Sequence, residues 1–239
     1  MIEDPARPVA LVTGSVRGIG LGVAKELAQQ GWRTHVVWRS TESMELEERF
    51  PGRAHRADLC REAECRSLVE AVLEQDGRLD AVVHAVGEYA PGNLEETPLE
   101  ETRRMLDSNF LSSVMLAEAA RPMIRETGGS WVFFGSSGIE SLRARRDAPI
   151  YVAAKTALLS FVRSFALEEA AFGVRVNMVS PGLVPHADAA ESTKEYASRV
   201  PLGRPGKVED LATAVTWLLS AEAGHVTGQN LDVAGGWVL

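Results

Sequence analysis

Short apolar runs rich in Val and Leu alternate along the chain with longer stretches in which apolar residues recur at helical spacing. Such alternation is typical of βαβ units whose parallel sheet is buried on both faces. It predicts an α/β fold, a Rossmann-type doubly wound parallel sheet of about seven strands flanked by helices. The predicted strands cover residues 9–13, 34–38, 79–86, 130–135, 174–179 and 229–233, with a further short strand that ends at Ala57.

Helix boundaries in the sequence support this division. One predicted helix stops before Gly31, a residue suited to the left-handed conformation just past a helix end. Another follows Thr97, which is expected to cap it, with Pro98 in the first turn and Glu100 completing a capping box.

Length and composition then limit the domain count. The chain has 239 residues, of which 45% are hydrophobic and 24% charged, the ordinary balance of a globular protein with a substantial core. Since α/β folds with one core commonly reach this size, we expect residues 1–239 to form a single domain. Residues 185–205 are the least regular part of the second half, and we interpret them as a substrate lid.

Charge and terminal composition argue against several partners. The formal net charge is -8 and no long basic block is present, so we expect no nucleic-acid partner. The start, MIEDPARPVALVTG, is unlike a signal peptide, and no apolar run approaches the roughly 18 residues of a membrane span. Cys60 and Cys65 are expected to be unpaired thiols in a reducing compartment. We therefore expect a cytoplasmic protein that does not bind membranes.

A glycine-rich turn connects the first predicted strand to the first helix. A turn there lets the backbone approach a pyrophosphate, while the helix N-terminus offers free N–H groups and a partial positive charge. The spacing differs from the usual G-x-G-x-x-G, and a tight strand-to-helix turn without a ligand is the alternative. The position favours a nicotinamide dinucleotide. Its expected contacts are Gly14, Ser15, Arg17, Gly18, Ile19 and Gly20.

The end of the second predicted strand indicates which dinucleotide is bound. Sites that prefer the unphosphorylated cofactor usually place Asp or Glu here, where it bonds the ribose hydroxyls. This chain has Arg39 followed by Ser40, which together with Arg17 would attract a 2′-phosphate. We therefore favour NADP(H) over NAD(H). The alternative is that Arg39 is a solvated surface residue.

Tyr151 and Lys155 are four residues apart in a helical pattern and share one face. A tyrosine ordinarily titrates near pH 10, too high for efficient proton transfer at neutrality. A neighbouring ammonium favours the ionised phenol, so Lys155 is expected to lower the pKa of Tyr151. A Tyr and a Lys at this spacing also occur by chance in many amphipathic helices.

Several motifs appear in one order along the whole chain: the T-G-x-x-x-G-x-G turn, Asp58, Asn109, Ser136, the Y-x-x-x-K pair and Pro181-Gly182. In this the chain resembles the short-chain dehydrogenase/reductase family. The stretches 200–206 and 226–229, with Gly235 and Gly236, are most similar to its 3-oxoacyl-(acyl-carrier-protein) reductase branch.

The resemblance implies catalytic roles for four residues. Tyr151 exchanges a proton with the substrate oxygen, Ser136 holds that oxygen, Lys155 also contacts the nicotinamide ribose, and Asn109 supports a water-linked proton path to Lys155. Donors at the oxygen suit this chemistry, because hydride delivery to a carbonyl creates negative charge there. Ser137 competes with Ser136 for its role, and a buried helix Asn and a turn Ser are the alternatives.

The resemblance also implies contacts along the rest of the cofactor. Asp58 would bind the adenine amino group with Leu59 beside it, and the turn with Pro181, Gly182 and Val184 would hold the nicotinamide carboxamide. An exposed Asp that ends a strand, and a loop without a ligand, are the plainer alternatives. No metal site is predicted.

The chain departs from the family pattern at four places. The usual N-N-A-G reads His84-Ala85-Val86-Gly87, which keeps only Gly87 as a cofactor contact and makes His84 a structural residue. The position of a frequent carboxamide-binding Thr is His186. Arg143, Arg145 and Arg146 lie in a substrate-bordering loop, as binders of an anionic substrate or as a solvated surface. The basic surface that meets an acyl carrier protein is depleted, because its places read Arg125-Glu126-Thr127 and Ala171-Phe172-Gly173.

The resemblance therefore implies an NADPH-dependent enzyme that moves a hydride between the nicotinamide and a carbonyl or hydroxyl group, with a 3-oxoacyl thioester as the favoured substrate. Another ketone, a sugar or a secondary alcohol is the alternative. A non-catalytic dinucleotide sensor is a third possibility. The resemblance also implies a homotetramer and leaves an acyl carrier protein as a weakly supported partner.

Overall fold

The computed structural model describes residues 7–39, 44–142, 144–185 and 198–237. Seven strands form one parallel sheet in the order β3-β2-β1-β4-β5-β6-β7. The α/β fold with a doubly wound sheet is confirmed. The strands are β1 (Val9–Thr13), β2 (Arg33–Trp38), β3 (Ala54–Arg56), β4 (Ala81–His84), β5 (Ser130–Phe134), β6 (Arg175–Pro181) and β7 (Asn230–Val233).

Helices connect the strands and cover both faces of the sheet. They are α1 (Gly18–Gln29), α2 (Met44–Arg49), α3 (Glu62–Asp76), α4 (Leu99–Leu106), α5 (Ser112–Thr127), α6 (Pro149–Glu169) and α7 (Val208–Leu219). A π-helical turn, Asp107–Leu111, joins α4 to α5.

The sheet separates two hydrophobic clusters. Buried residues of α3, α5 and α6 pack on one face, where Trp131 and Phe133 of β5 lie in the cluster. Residues of α1, α2 and α7 pack on the other face. The strand order reverses between β1 and β4, and in open parallel sheets the crevice for ligands lies outside the carboxyl ends at this point. The fold thereby places the predicted site residues that follow β1, β2 and β4 around one crevice.

The predicted start of α4 is wrong in its detail. Pro98 occupies the N-cap, and no side chain caps the helix. The Thr97 hydroxyl donates instead to the Asn93 carbonyl at 2.8 Å. Asn93 Oδ1 accepts the backbone N–H groups of Glu95 and Glu96, at 2.9 and 3.2 Å. This preceding turn engages Thr97, because short polar side chains bond readily to nearby backbone.

The predicted lid at 185–205 is described only in part, since residues 186–197 lie outside the described ranges. Residues 198–205 form turns, with Val200 buried. The Leu202 backbone N–H donates to the Gly235 carbonyl at 3.1 Å, which links this segment to the C-terminal strand region. Closure of a lid stays a prediction.

One helical stretch, Pro149–Phe172, is long and apolar enough to cross a membrane by length and composition. Its residues Leu158, Leu159, Val162 and Phe165 are buried in the cluster on one face of the sheet. Core helices of this length commonly have the same composition. The sequence-based expectation that the protein does not bind membranes stays a prediction.

Candidate active site

A cavity of about 910 Å³ opens at the carboxyl ends of the strands. Its volume lies in the range typical of small-molecule and cofactor sites. Residues from the ends of β1 to β6 and from α6 line it. Those predicted as site residues are Gly14, Arg17, Gly18, Ile19, Gly20, Arg39, Asp58, Leu59, Gly87, Asn109, Tyr151, Lys155 and Pro181.

The glycine turn at the end of β1 is suited to hold an anion. Gly14 has φ +69°, and a Cβ there would lie 2.5 Å from the Ala85 carbonyl oxygen. A Cβ at Gly20 would overlap the Gly14 carbonyl oxygen. α1 begins at Gly18 with no side-chain cap and no acidic residue in its first turn. Its first N–H groups therefore lack a side-chain acceptor and can bind a phosphate.

Ser15 is the one predicted contact of this turn that does not line the cavity. Its side chain is fully buried and donates to the Val12 carbonyl oxygen. The same hydroxyl accepts the Val37 backbone N–H at 3.1 Å. The Ser15 hydroxyl therefore links the carboxyl ends of β1 and β2, because it bonds to a backbone group of each strand.

The part of the cavity that the sequence predicts to hold the adenosine is lined by Arg17, Arg39, Asp58 and Leu59. Arg39 is half-exposed and pairs with Glu88 at 3.3 Å. The Asp58 carboxylate accepts the Cys60 backbone N–H at 3.1 Å, and Leu59 belongs to the core. The predicted contact Ser40 lies outside the described residues.

Tyr151 and Lys155 line the cavity, and Ser136 lies beside Tyr151. Tyr151 and Lys155 lie on α6, and Ser136 follows the end of β5. The Ser136 side chain lies near enough to Tyr151 to lower the pKa of its phenol. Lys155 Nζ donates to the Phe134 carbonyl at 2.8 Å and lies 5.8 Å from the Tyr151 ring centroid. Ser137 is buried, and its backbone N–H donates to the Pro181 carbonyl, so Ser136 fits the predicted position better.

The prediction that Lys155 lowers the pKa of Tyr151 is wrong for the protein residues taken alone. Burial, with the neighbouring Tyr89, raises the pKa of Tyr151 to about 12, against the opposing effect of Ser136. Burial also lowers the pKa of Lys155 to about 8. Lys155 is thus still a cation at neutral pH, but its ammonium donates to the Phe134 carbonyl and lies over the Tyr151 ring, 5.8 Å from its centroid.

Asn109 lies in the π-helical turn between α4 and α5 and is fully buried. Its Nδ2 donates to the carbonyls of Glu88 and Met105 at 2.8 and 3.0 Å, which fixes the orientation of the amide. Its Oδ1 is buried without a partner among the described residues. A Cβ at Gly87 would overlap Oδ1 and lie 3.1 Å from Lys155 Nζ, so both groups border the same small space.

His84 has a structural environment, as the sequence predicted. Its ring is buried between Thr13 Oγ1, 2.9 Å from Nδ1, and Ser112 Oγ, 3.1 Å from Nε2. Burial, and then the charge of Lys155, lowers the pKa of His84 to about 3. The neutral ring therefore links β1, β4 and α5 beneath the cavity.

Sequence reasoning missed two prominent cavity residues, Glu88 and Tyr89. Tyr89 contacts Tyr151 edge to face, with ring centroids 5.0 Å apart. Both residues follow Gly87 directly after β4. Their position at the carboxyl end of a strand was the available signal.

The remaining predicted contacts are placed less directly. Pro181 lines the cavity, whereas Gly182 packs against Ala234 and Val184 packs on the face covered by α1 and α7. Of the loop arginines, Arg145 donates to the Ser137 carbonyl at 3.1 Å and Arg146 is exposed. Arg143 and His186 lie outside the described residues.

The residues present fit a nicotinamide dinucleotide. The glycine turn leaves room that side chains would fill, the α1 N-terminus suits a pyrophosphate, and a buried acceptor, Asn109 Oδ1, stands beside Lys155. Within the described ranges, no group of His, Cys, Asp and Glu is arranged to hold a metal ion.

A family model described as enoyl-(acyl carrier protein) reductase matches residues 14–238. The chain belongs to the short-chain dehydrogenase/reductase family. Human 3-oxoacyl-(acyl-carrier-protein) reductase is 36% identical over 95% of this chain and 97% of its own length. Bovine L-fucose dehydrogenase is 31% identical over 97% of this chain and 89% of its own length.

Solved structures of similar proteins carry both forms of the cofactor. Actinorhodin polyketide ketoreductase with NADPH has a TM-score of 0.90 and 29% identity, over 99% of each chain. The Brucella melitensis 3-ketoacyl-(acyl-carrier-protein) reductase with NADH has a TM-score of 0.87 and 29% identity, over 97% of this chain and 98% of its own. This dehydrogenase/reductase is therefore an oxidoreductase with a nicotinamide site.

Proposed function

We propose that the protein is an NADPH-dependent reductase of ketone substrates, with 3-oxoacyl thioesters as the favoured class. The observation that carries this proposal is that Tyr151 and Lys155 line the cavity into which the glycine turn opens, with Ser136 beside Tyr151. Similarity to the human 3-oxoacyl-(acyl-carrier-protein) reductase supports the substrate class.

The site residues divide the work between binding and proton transfer. When bound, the nicotinamide supplies or accepts the hydride. The turn at Gly14 and the N-terminus of α1 hold the pyrophosphate. Ser136 and Tyr151 donate hydrogen bonds to the substrate oxygen, which becomes negative during reduction, and Tyr151 supplies its proton.

Lys155 and Asn109 support that proton transfer. The protein alone leaves the pKa of Tyr151 at about 12, so the phenol is protonated at neutral pH and can act as the acid in reduction. Lys155, with its pKa lowered to about 8, still carries a charge at neutral pH, and its ammonium would contact the nicotinamide ribose when the cofactor is bound. Asn109 Oδ1 beside Lys155 is an acceptor through which a water could return the proton.

Replacement of Tyr151 by Phe tests the catalytic role. Turnover with NADPH should fall by about 10²- to 10⁴-fold, the usual contribution of a general acid, while the Kd for NADPH stays nearly unchanged. Ser136→Ala should also lower turnover. Ser137→Ala is the matched control and should have a much smaller effect. Full turnover in Tyr151→Phe would refute the assignment.

The substrate class is tested by comparing an acetoacetyl thioester with simple ketones, sugars and secondary alcohols. The highest kcat/KM is expected for the thioester. The similarity to bovine L-fucose dehydrogenase supports the alternative of a sugar or secondary alcohol, which a higher kcat/KM on those compounds would establish. Tight NADPH binding without turnover on any carbonyl would instead favour a dinucleotide sensor.

We also propose a homotetramer, on family grounds and on the apolar side chains exposed on α6 and next to the ends of α5 and α6. Leu167 is 82% exposed, and Leu111 and Phe172 are 39% and 46% exposed. Large apolar side chains exposed on neighbouring elements often mark a protein interface. Light scattering coupled to size exclusion should give about four times the 25.9 kDa chain mass, and the monomer mass would contradict the proposal.

A further inference from the structure

A chain of ion pairs crosses the part of the cavity predicted to hold the adenosine. Glu88, in the loop after β4, lies 3.3 Å from Arg39 at the end of β2. Its other carboxylate oxygen lies 2.8 Å from Nε of Arg104 on α4. Arg39 and Glu88 both line the cavity, so the guanidinium expected to bind a 2′-phosphate already has an anionic partner within the protein.

The backbone of Glu88 is fixed from both sides by the π-helical turn. Its N–H donates to Ser108 Oγ at 3.3 Å. Its carbonyl accepts Asn109 Nδ2 at 2.8 Å. The residues that hold Glu88 belong to the same turn that places Asn109 beside Lys155, and Arg104 orients the carboxylate. The side chain is therefore directed at Arg39 by fixed elements rather than lying freely in solvent.

We infer that Glu88 is a cofactor-selectivity residue: it holds Arg39 in an internal ion pair that the 2′-phosphate of NADPH has to displace. The inference rests on the proposed nicotinamide site. NADH carries no phosphate at that position, so its binding does not require Arg39 to leave Glu88. The Glu88 carboxylate thus lowers the affinity for NADPH relative to NADH below the ratio that Arg39 alone would give.

Two electrostatic effects act in the same direction. The phosphate competes with Glu88 for one guanidinium, and it approaches a carboxylate of like charge. The side chains of Arg39 and Glu88 are 54% and 33% exposed, so water and salt screen the interaction. The expected change in affinity is therefore about 3- to 10-fold rather than several orders of magnitude.

Glu88→Gln tests the inference by calorimetric titration of the full chain with NADPH and with NADH. The Kd for NADPH should fall about 3- to 10-fold, while the Kd for NADH should change less than about twofold. Glu101→Gln is the matched control, because it removes the same charge from the other partner of Arg104, 3.5 Å away, without touching Arg39. It should leave both Kd values unchanged.

A double-mutant cycle shows whether Glu88 acts through Arg39. Arg39→Ala should weaken NADPH binding, and Glu88→Gln should tighten it clearly less in that background, where only the direct repulsion between the carboxylate and the phosphate is left to remove. If Arg39→Ala weakens NADPH binding but Glu88→Gln leaves it unchanged, the inference fails while the proposed NADPH site stands. If Arg39→Ala has no effect on NADPH, the proposed cofactor preference itself fails.

Two further outcomes would also overturn the inference. One is a tightening by Glu88→Gln that is as large without Arg39 as with it, which would mean that Glu88 does not act through that guanidinium. The other is a weakened NADH affinity with unchanged NADPH affinity, which would make Glu88 a direct ribose contact. Thermal melting of each variant checks that the fold is retained.

Discussion

Gly14 is constrained by two independent features of its surroundings. Its φ of +69° lies in the left-handed region, which a side chain disfavours, and a Cβ would lie 2.5 Å from the Ala85 carbonyl oxygen. Gly77, at the end of α3, has nearly the same φ of +68°, but nothing lies within 4 Å of the place that a Cβ would take there. Comparing variants at the two glycines therefore separates the destabilisation caused by a positive φ from that caused by a clash with the backbone.

Gly14→Ala and Gly77→Ala are expected to differ accordingly. Gly77→Ala should lower the free energy of unfolding by about 1 kcal/mol through φ alone and leave NADPH affinity unchanged. Gly14→Ala should destabilise the fold further, because β1 must move away from the loop after β4, and should weaken NADPH binding at least about tenfold. Urea unfolding and cofactor titration measure both effects, and equal behaviour of the two variants would contradict this prediction.

At the residue scale, the sequence predicted which side chains belong to the site better than it predicted what those side chains contact. Asn109, Ser136, Tyr151 and Lys155 were predicted by motif order. The fold places Asn109, Tyr151 and Lys155 in the cavity lining and Ser136 beside Tyr151. The Ser15 hydroxyl accepts a hydrogen bond from the backbone of Val37 in β2, which lies 22 residues further along the chain. Such pairings across strands leave no local signature.

At the scale of elements, strand and helix order followed from hydrophobic periodicity, since buried parallel strands give continuous apolar runs. The π-helical turn at Asp107–Leu111 could not be predicted in this way. It contains Asn109, and it forms hydrogen bonds with the backbone of Glu88. One extra residue in a helix hardly alters that periodicity. The detail most important for the site was therefore the least visible in the sequence.

A buried polar cluster joins β2, β3 and α3 on the far side of β1 from the catalytic residues. His35 contacts Asp76 at 2.7 Å and His55 at 2.8 Å. Arg33 and Arg53 pair with the same Asp76 carboxylate. Burial lowers the pKa of His35 to about 4, so its ring is neutral in the folded protein under most conditions.

This cluster predicts loss of stability in mild acid. Because the His35 pKa is 6.5 when exposed and about 4 when folded, the unfolded chain binds the proton more tightly between these values. The stability that the neutral His35 ring contributes is complete above pH 6.5 and is lost as the pH falls toward 4. The loss in the free energy of unfolding amounts to about 2 kcal/mol by pH 5. Urea unfolding at pH 7.5 and pH 5 measures it.

His35→Gln should reduce that pH dependence, because the amide cannot take up the proton. His84, whose pKa is lowered to about 3, should account for a further part of the loss and remains in the variant. His225→Gln, at an exposed histidine, is the control and should keep the full dependence. An unchanged slope in His35→Gln would show that the cluster does not titrate in this range.

At the scale of the whole molecule, charge bears on how a substrate arrives. The net charge is -8. Near the ends of α5 and α6, Arg125 forms a two-pronged pair with Glu169, at 2.9 and 2.6 Å, and lies 3.8 Å from the Phe172 ring centroid. Arg121 lies within 3.6 Å of Glu168 and Glu169. The basic groups at this surface are thus neutralised by acidic residues of the same chain.

An acidic acyl carrier protein should therefore gain nothing from electrostatic steering. If the protein reduces 3-oxoacyl thioesters, kcat/KM for an acetoacetyl carrier protein should not exceed that for a small acetoacetyl thioester at low salt. Raising the salt from about 20 to about 300 mM shortens the screening length and weakens repulsion between two acidic proteins. The carrier rate should then stay level or rise, whereas the small thioester, run in parallel, reports any effect of salt on the chemistry. A steep fall confined to the carrier substrate would reveal a basic docking surface and overturn this prediction.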